Sequence, residues 1–311
     1  MVGLTITTFY KDLRRNLILG DAVESLESLD DESVNCFVTS PPYWNQREYG
    51  HPDEFGHEKT VVKYVYNLMD VFDEAQRVLT KDGTCFVNLG DKYYTEGKNR
   101  KSAAQAPARF AIAMEDAGWL LRNEIIWWKP VCIPSGSGRF TVDYEKIYFF
   151  TKNEDHYFKT LYEPVSDATL EMIKSGRENA PSKSINYGGL SHTNQNKWYN
   201  KMKEIYDRGE TPMRIMRAVW NFPYKPCSFD HTAVFPPELP ARCIDCGCPE
   251  DGVVGDMFMG TGTTAEVCEL LKRRWVGSDI VPKNCETIMD RLRPYIQQRT
   301  LDVFGGDQPV S

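Results

Sequence analysis

No stretch of this sequence stays apolar for the ~18 residues that a membrane-spanning helix needs, so no membrane partner is expected. The opening residues, MVGLTITTFYKDLRRNL, lack a basic head followed by an apolar stretch and a small-residue cleavage site, so no secretory leader is expected either. Without export, the nine cysteines are expected as thiols in the reducing cytoplasm rather than as a disulfide framework. Positive charge is not in excess: 37 Lys+Arg stand against 44 Asp+Glu, a formal charge of −7. That balance argues against a passive nucleic-acid coat but not against a nucleic-acid enzyme, whose footprint is set by local charge. No internal repeat is visible. What is present is ample core material, with 41% apolar and 12% aromatic residues, which rules out global disorder. A length of 311 residues suggests about two domains.

Short apolar strands alternate with amphipathic helices in the first half. Leu17–Leu19, Asn35–Thr39, Thr84–Leu89, Asn123–Trp128 and Lys146–Thr151 read as strands. Val23–Leu29, residues 60–79 and residues 107–117 read as helices, the second stopped by Lys81-Asp82-Gly83. This rhythm predicts an α/β fold with a mostly parallel sheet. It breaks between about 155 and 219, a polar stretch rich in Asn, Lys, Ser and Gly with isolated aromatics, and returns at Gly252. The expected division is 1–154, an inserted domain at 155–219, a second part at 220–299, and a frayed tail at 300–311.

Residues 253–264, VVGDMFMGTGTT, run a strand into a Gly260-Thr-Gly262 turn and then a helix. Glycine lets the backbone approach a ligand, and the helix start offers free N–H donors. About twenty residues on, a strand ends in Asp279, placed to hydrogen-bond ribose hydroxyls. A nicotinamide-dinucleotide site has the same design, but too few strands follow this turn for a second mononucleotide half. Residues 39–44, Thr-Ser-Pro-Pro-Tyr-Trp, follow the strand NCFVTS. Two prolines fix φ and remove two donors, leaving a stiff rim of carbonyls, one hydroxyl and an aromatic face. That rim suits a planar group with an exocyclic amine: Ser40 Oγ and the Pro41 carbonyl accept its hydrogens, Pro42 stiffens the turn, and Tyr43 stacks on the ring.

TSPPYW followed far downstream by D-x-F-x-G-x-G-T-T resembles the beta group of amino-methylating DNA methyltransferases, the N4-cytosine and N6-adenine family. NLGD (88–91), EIIWWK (124–129), DYEKIYFFTK (143–152), VWNFP (219–223) and the HTAVFP stretch (231–236) are also similar to it. The resemblance implies a circularly permuted Rossmann-like fold dependent on S-adenosyl-L-methionine. Its mostly parallel sheet has an antiparallel strand, and its smaller target-recognition domain is inserted between the two motifs. It implies that Asp256, Phe258, Gly260, Gly262 and Thr263 line the methionine end, with Phe235 beside it. Asp279 would hold the ribose, and Asp21 would accept from the adenine amine. Two departures stand out: Met257 where the family usually has Pro, and Gly255 where it has an apolar residue.

The expected reaction is methyl transfer to the N4 of a flipped-out cytosine, because family members with Ser before Pro-Pro-Tyr mostly methylate cytosine N4. Adenine N6 is the alternative. RNA or protein-glutamine methylation and an inactive DNA- or cofactor-binding module are further ones. Carbon-5 methylation would need a thiolate on a Pro-Cys turn. Pro226-Cys227 does not follow a strand, so Cys227 reads as a structural thiol. The expected partner is double-stranded DNA, in a restriction-modification system with a cognate restriction endonuclease or in phage/host DNA modification, and the expected state is monomeric or homodimeric. Lys98, Arg100 and Lys101 beside the cleft are candidate phosphate contacts, with Arg109 close by. Lys197, Lys201, Arg214 and Arg217 join them from residues 170–226, where ten basic residues face five acidic ones. The Cys243-Ile-Asp-Cys246-Gly-Cys248 run, with Cys227 or His231 as a fourth ligand, invites zinc. No second C-x-x-C pair exists, so no metal is expected. Cys243 reads as helix core, and Cys246 and Cys248 as a tight turn.

Overall fold

The computed structural model describes residues 6–48, 50–132, 134, 138–175, 192–222 and 235–304, the side chains of 192–196 and 298–304 excepted. Two compact units emerge. One comprises Met1–Lys159 with Ala218–Ser311, the other Thr160–Arg217.

In chain order the first unit contains β1 (Thr7–Lys11), β2 (Arg15–Leu19), α1 (Ala22–Glu27), β3 (Val34–Thr39), α2 (Val61–Val78), β4 (Leu79–Leu89), α3 (Ala106–Asp116), β5 (Leu120–Trp128) and β6 (Tyr144–Thr151). The inserted unit supplies β7 (Tyr162–Pro164), α4 (Asp167–Ser175), α5 (His192–Asp207) and β8 (Met213–Ile215). The first unit resumes with β9 (Val219–Asn221), α6 (Glu238–Gly247), β10 (Val253–Asp256), α7 (Thr263–Leu270), β11 (Arg274–Asp279) and α8 (Pro282–Phe304).

Nine strands form one sheet in the order β1-β2-β11-β10-β3-β4-β6-β5-β9. The run from β2 to β4 is parallel, and β6 is antiparallel to both of its neighbours. β2 and β3 therefore lie beside β11 and β10, which are written more than two hundred residues away.

Helix α2 follows directly from its sequence. Val61, Tyr64, Val65, Leu68, Val71, Phe72, Ala75 and Val78 fall on one buried face, and Thr60 caps it by accepting the Lys63 N–H at 3.2 Å. Lys81-Asp82-Gly83 does not stop this helix. The chain passes straight from Val78 into β4, and those residues lie within the first half of that strand. Gly83 is required there: a Cβ would sit 2.9 Å from the Thr80 carbonyl.

The inserted unit spans Thr160–Arg217, slightly less than the polar stretch read from sequence. Residues 155–159 are tied to the first unit, where Tyr157 N bonds the Asp82 carbonyl and Lys159 N bonds the Cys246 carbonyl, both at 2.8 Å. At the other end, Val219–Asn221 pairs with β5. The small core of the inserted unit is Val165, Ile173 and Met202. At the C-terminus α8 continues to Phe304, so residues 300–304 are helix rather than tail.

Candidate active site

The two sequence motifs meet because β3 and β10 are parallel neighbours, with Val254 opposite Cys36 and Gly255 opposite Phe37. Their C-terminal ends lie side by side, and Thr39 Oγ1 donates to Asp256 Oδ1 at 2.6 Å across 217 positions of sequence. Gly255 stands where it does because a Cβ would fall 2.3 Å from the Phe37 ring. A large apolar residue on β3 thus explains one departure from the expected pattern.

Asp256 does not line the cleft as expected. It is 1% exposed and works as a clamp below it. Its carboxylate accepts from Thr39, from Thr264 Oγ1 at 2.7 Å and from the Phe258 N–H at 3.1 Å. Burial pushes its pKa up to about 6, against the lowering effect of these donors. The glycine turn above it is left-handed at Gly260 (φ 55°) and Gly262 (φ 81°). Gly260 faces open space, and its N–H donates to Asp279 Oδ2 at 2.8 Å. Gly262 faces away from the cleft, since its Cβ would meet Ile288 of α8 at 2.9 Å. Asp279 Oδ1 accepts from the Val281 N–H and from Asn284 Nδ2, both at 2.9 Å. Its carboxylate therefore fixes the turn while bordering the cleft. Asp21, at the end of β2, is the N-cap of α1 and accepts from Val23 N at 2.8 Å and Glu24 N at 3.4 Å.

The proline rim is held from behind. Ser40 Oγ donates to the Asn88 carbonyl at 3.2 Å and lies 3.5 Å from Tyr43 Oη. Tyr43 Oη lies 2.8 Å from Glu145 Oε2 and 3.0 Å from Asn88 Oδ1. Tyr64 donates to the Pro42 carbonyl at 2.8 Å. Gly90 leaves room for the Tyr43 ring, because a Cβ there would come within 2.6 Å of it. Burial, with Glu145 beside it, pushes the Tyr43 phenol well above its usual range.

One cleft unites these parts. It encloses about 860 Å³ counting its open mouth, within the range of small-molecule sites. Ser40 and Pro42 border it from the rim, Gly260 and Thr263 from the turn, and Asp21, Asp279, Phe235 and Phe258 from the sides. Asp53, Glu54 and Phe55 also line it and were not anticipated. Their loop folds back on the rim, with Asn45 N bonding the Gly56 carbonyl at 2.6 Å and the Phe55 ring set edge-on to Phe258 at 5.5 Å. A local signal for this loop is Gly56, at φ 104°. Among the described residues, four carboxylates (Asp21, Asp53, Glu54, Asp279) and no Lys or Arg line the cleft. Such a wall suits a cationic ligand with an aromatic part and opposes a pyrophosphate, so the residues fit a sulfonium nucleoside and disfavour a dinucleotide.

The expected phosphate contacts fall into two groups. Lys98, Arg100 and Lys101 are exposed on a loop pinned by Lys101 N to the Tyr94 carbonyl at 2.8 Å and by Asp91 accepting from Gln105 N and Ala106 N. In the inserted unit, Lys197 and Lys201 are exposed on α5, whereas Arg214 and Arg217 both bond Glu163, at 2.9 and 3.3 Å. Cys243 and Cys246 both lie within α6, and Cys248 is its C-cap, so the tight turn read at Cys246 is helix. Burial raises all three thiols, Cys246 and Cys248 to about 12. Among the described residues no group of three or more His, Cys, Asp or Glu is placed to hold a metal. Cys227 and His231 lie outside the described residues.

Fold and cleft define a doubly wound α/β protein with its ligand site at the C-terminal ends of its central strands. The chain belongs to the DNA methylase family of N6 and N4 amino-methyltransferases, whose model matches residues 34–290. It is 31% identical over 303 residues to the type II methyltransferase M.SmaI of Serratia marcescens, covering 89% of this chain and 90% of that one. It is 32% identical over 302 residues to M.XycI of Xanthomonas campestris pv. cyanopsidis, covering 89% and 87%. Among solved structures, the PvuII DNA methyltransferase (cytosine-N4-specific) superposes with a TM-score of 0.61 at 20% identity, covering 96% of each chain. A putative DNA modification methylase of Thermus thermophilus, solved with S-adenosyl-L-methionine, gives 0.57 at 22%, covering 91% and 94%. These two likenesses are of fold.

Proposed function

We propose that the chain methylates the exocyclic N4 of cytosine in double-stranded DNA, using S-adenosyl-L-methionine. The carrying observation is that Ser40 and the Gly260 turn, on adjacent parallel strand ends, border one acidic cleft. When bound, the cofactor supplies an electrophilic methyl group on a sulfonium. Gly260, Thr263, Phe258 and Phe235 would flank its methionine end, Asp279 its ribose and Asp21 its adenine.

The target base leaves the stack to reach the cleft. Because Ser40 gives its only proton to the Asn88 carbonyl, its lone pairs remain to accept from the substrate amine. Among the described residues no donor reaches the Pro41 carbonyl, whereas the Pro42 carbonyl is taken by Tyr64. Accepting both amine hydrogens draws the nitrogen lone pair out of conjugation and aims it at the methyl group. The enzyme supplies positioning and charge stabilisation.

The serine before Pro-Pro-Tyr favours cytosine N4 over adenine N6, because family members with Ser at that position mostly methylate cytosine N4. The unit Thr160–Arg217 serves target recognition, with Lys98, Arg100, Lys101, Lys197 and Lys201 on phosphates. Location in the cytoplasm, a cognate endonuclease and a monomeric or homodimeric state accompany this reading.

Labelled methyl transfer to unmodified DNA followed by nucleoside analysis tests it, with N4-methylcytosine expected. N6-methyladenine would select the alternative target. Ser40→Ala is expected to abolish turnover while leaving cofactor affinity within about threefold. Full activity in that variant refutes the amine-polarising role.

A further inference from the structure

We propose that Glu145 is the final acceptor of the proton lost by the target amine, reached from Ser40 through the Tyr43 hydroxyl. The inference rests on the methyltransferase reading and gives a role in that reaction to a residue of the DYEKIYFFTK stretch that the resemblance left without one.

A chain of oxygens leads away from the rim. Ser40 Oγ is 3.5 Å from Tyr43 Oη, and Tyr43 Oη is 2.8 Å from Glu145 Oε2. The first link is long, as such contacts often are before substrate arrives. The other Glu145 oxygen is held by the Lys129 ammonium, which also lies over the Trp127 ring at 4.2 Å. Tyr43 has a second acceptor in Asn88 Oδ1, whose direction is fixed because Nδ2 donates to the Lys146 carbonyl at 3.1 Å. An amide oxygen does not take up a proton near neutral pH, so the carboxylate is the link able to receive one. The Glu145 side chain is 17% exposed, which leaves it a way to return the proton to water.

With the N–CH3 bond made and the S–CH3 bond broken, the amine nitrogen carries the methyl group, two hydrogens and a positive charge. One of those protons moves to Ser40 Oγ, the Ser40 proton swings from the Asn88 carbonyl to Tyr43 Oη and is passed there, and the Tyr43 proton moves to Glu145 Oε2. Ser40 and Tyr43 end as they began, the product is a neutral secondary amine, and Glu145 is a neutral acid. Burial of the phenol favours this role, since Tyr43 passes a proton without resting as a phenolate.

Glu145→Gln in the full-length protein keeps the size and the acceptor facing Tyr43 but cannot take the proton. Its single-turnover methyl transfer to DNA is expected to fall about a hundredfold, the size of a general-base contribution. KM for DNA and calorimetric cofactor affinity should stay within about threefold, and Glu145→Asp should recover about a tenth of the wild-type rate. Adding Tyr43→Phe to Glu145→Gln should cost little more, because both cut one path. A wild-type rate in Glu145→Gln overturns the proposal, as does an equal loss in the Asp and Gln variants accompanied by lost affinity. If the Gln variant fails to fold, Tyr43→Phe alone carries the test, with the same hundredfold loss expected and full activity overturning it. The wild-type protein is the control: no transfer by it defeats the methyltransferase reading itself, whereas active wild type with an unimpaired Gln variant defeats only the relay.

Discussion

The two units handle charge in opposite ways. At the glycine turn two carboxylates are buried and saturated: Asp256 answers three donors, and so does Asp279, which is 8% exposed. In the inserted unit the comparable carboxylate, Glu163, is 25% exposed and bonds two arginines at its surface. The cores differ in the same direction. The first unit buries rings and aliphatic chains against a nine-stranded sheet, whereas the second rests on Val165, Ile173 and Met202 beside a two-stranded ribbon. A chemical site needs groups fixed to fractions of an ångström, which saturated buried bonds supply. The recognition role proposed for the inserted unit calls for side chains able to adjust, and shallow ion pairs leave them that freedom.

Removing the second unit is the severest way to break this comparison. With residues 160–217 replaced by a short Gly/Ser linker, methyl transfer to DNA is expected to drop by about a thousandfold or more, the span between specific and non-specific binding. Cofactor affinity, measured by calorimetry, should survive. Its loss would mean that the cleft depends on the insert.

The buried carboxylate gives a second contrast, in stability. Asp256 has its folded pKa raised to about 6 from 3.8, so the stability it contributes is complete below pH 3.8 and is lost as pH rises through about 6. Asp256→Asn removes that titration. Between about pH 4 and pH 7 the wild type should lose ground to the variant by about 3 kcal/mol in chemical denaturation. Glu163→Gln should change stability by less than about 1 kcal/mol, as exposed pairs do. Parallel pH curves for wild type and Asp256→Asn would show that burial does not raise the Asp256 carboxyl in the folded protein.

The smallest effect concerns the exposed lysines. Lys197→Ala and Lys201→Ala should each lower the slope of log affinity against log salt by about 1. An unchanged slope would remove that face of α5 from the DNA contact.

The rim at Ser40–Tyr43 and the turn at Gly260–Gly262 were legible in the sequence because proline and glycine impose local backbone geometry, which a short window displays. Helix α2 was legible for a similar reason, its buried positions repeating at helical spacing. The helix gives way directly to β4, and Lys81-Asp82-Gly83 forms an irregularity within that strand, between the paired Leu79 and Thr84. Asp256 was assigned to the cleft wall because its motif position was visible and its burial was not.

What the sequence alone determined, then, was the class of chemistry: a stiff proline rim carrying a hydroxyl and carbonyls, a glycine turn, and the order in which they occur. What only the tertiary structure decided was which side chains stand behind them. Tyr43 follows β3, Asn88 lies on β4 and Glu145 on β6, and Tyr43 is 102 positions from Glu145. The antiparallel register that sets Leu89 opposite Lys146 brings Glu145 to the rim. Pairing between strands distant in sequence is a property of the whole sheet, and shifting it by one residue would turn Glu145 to the other face.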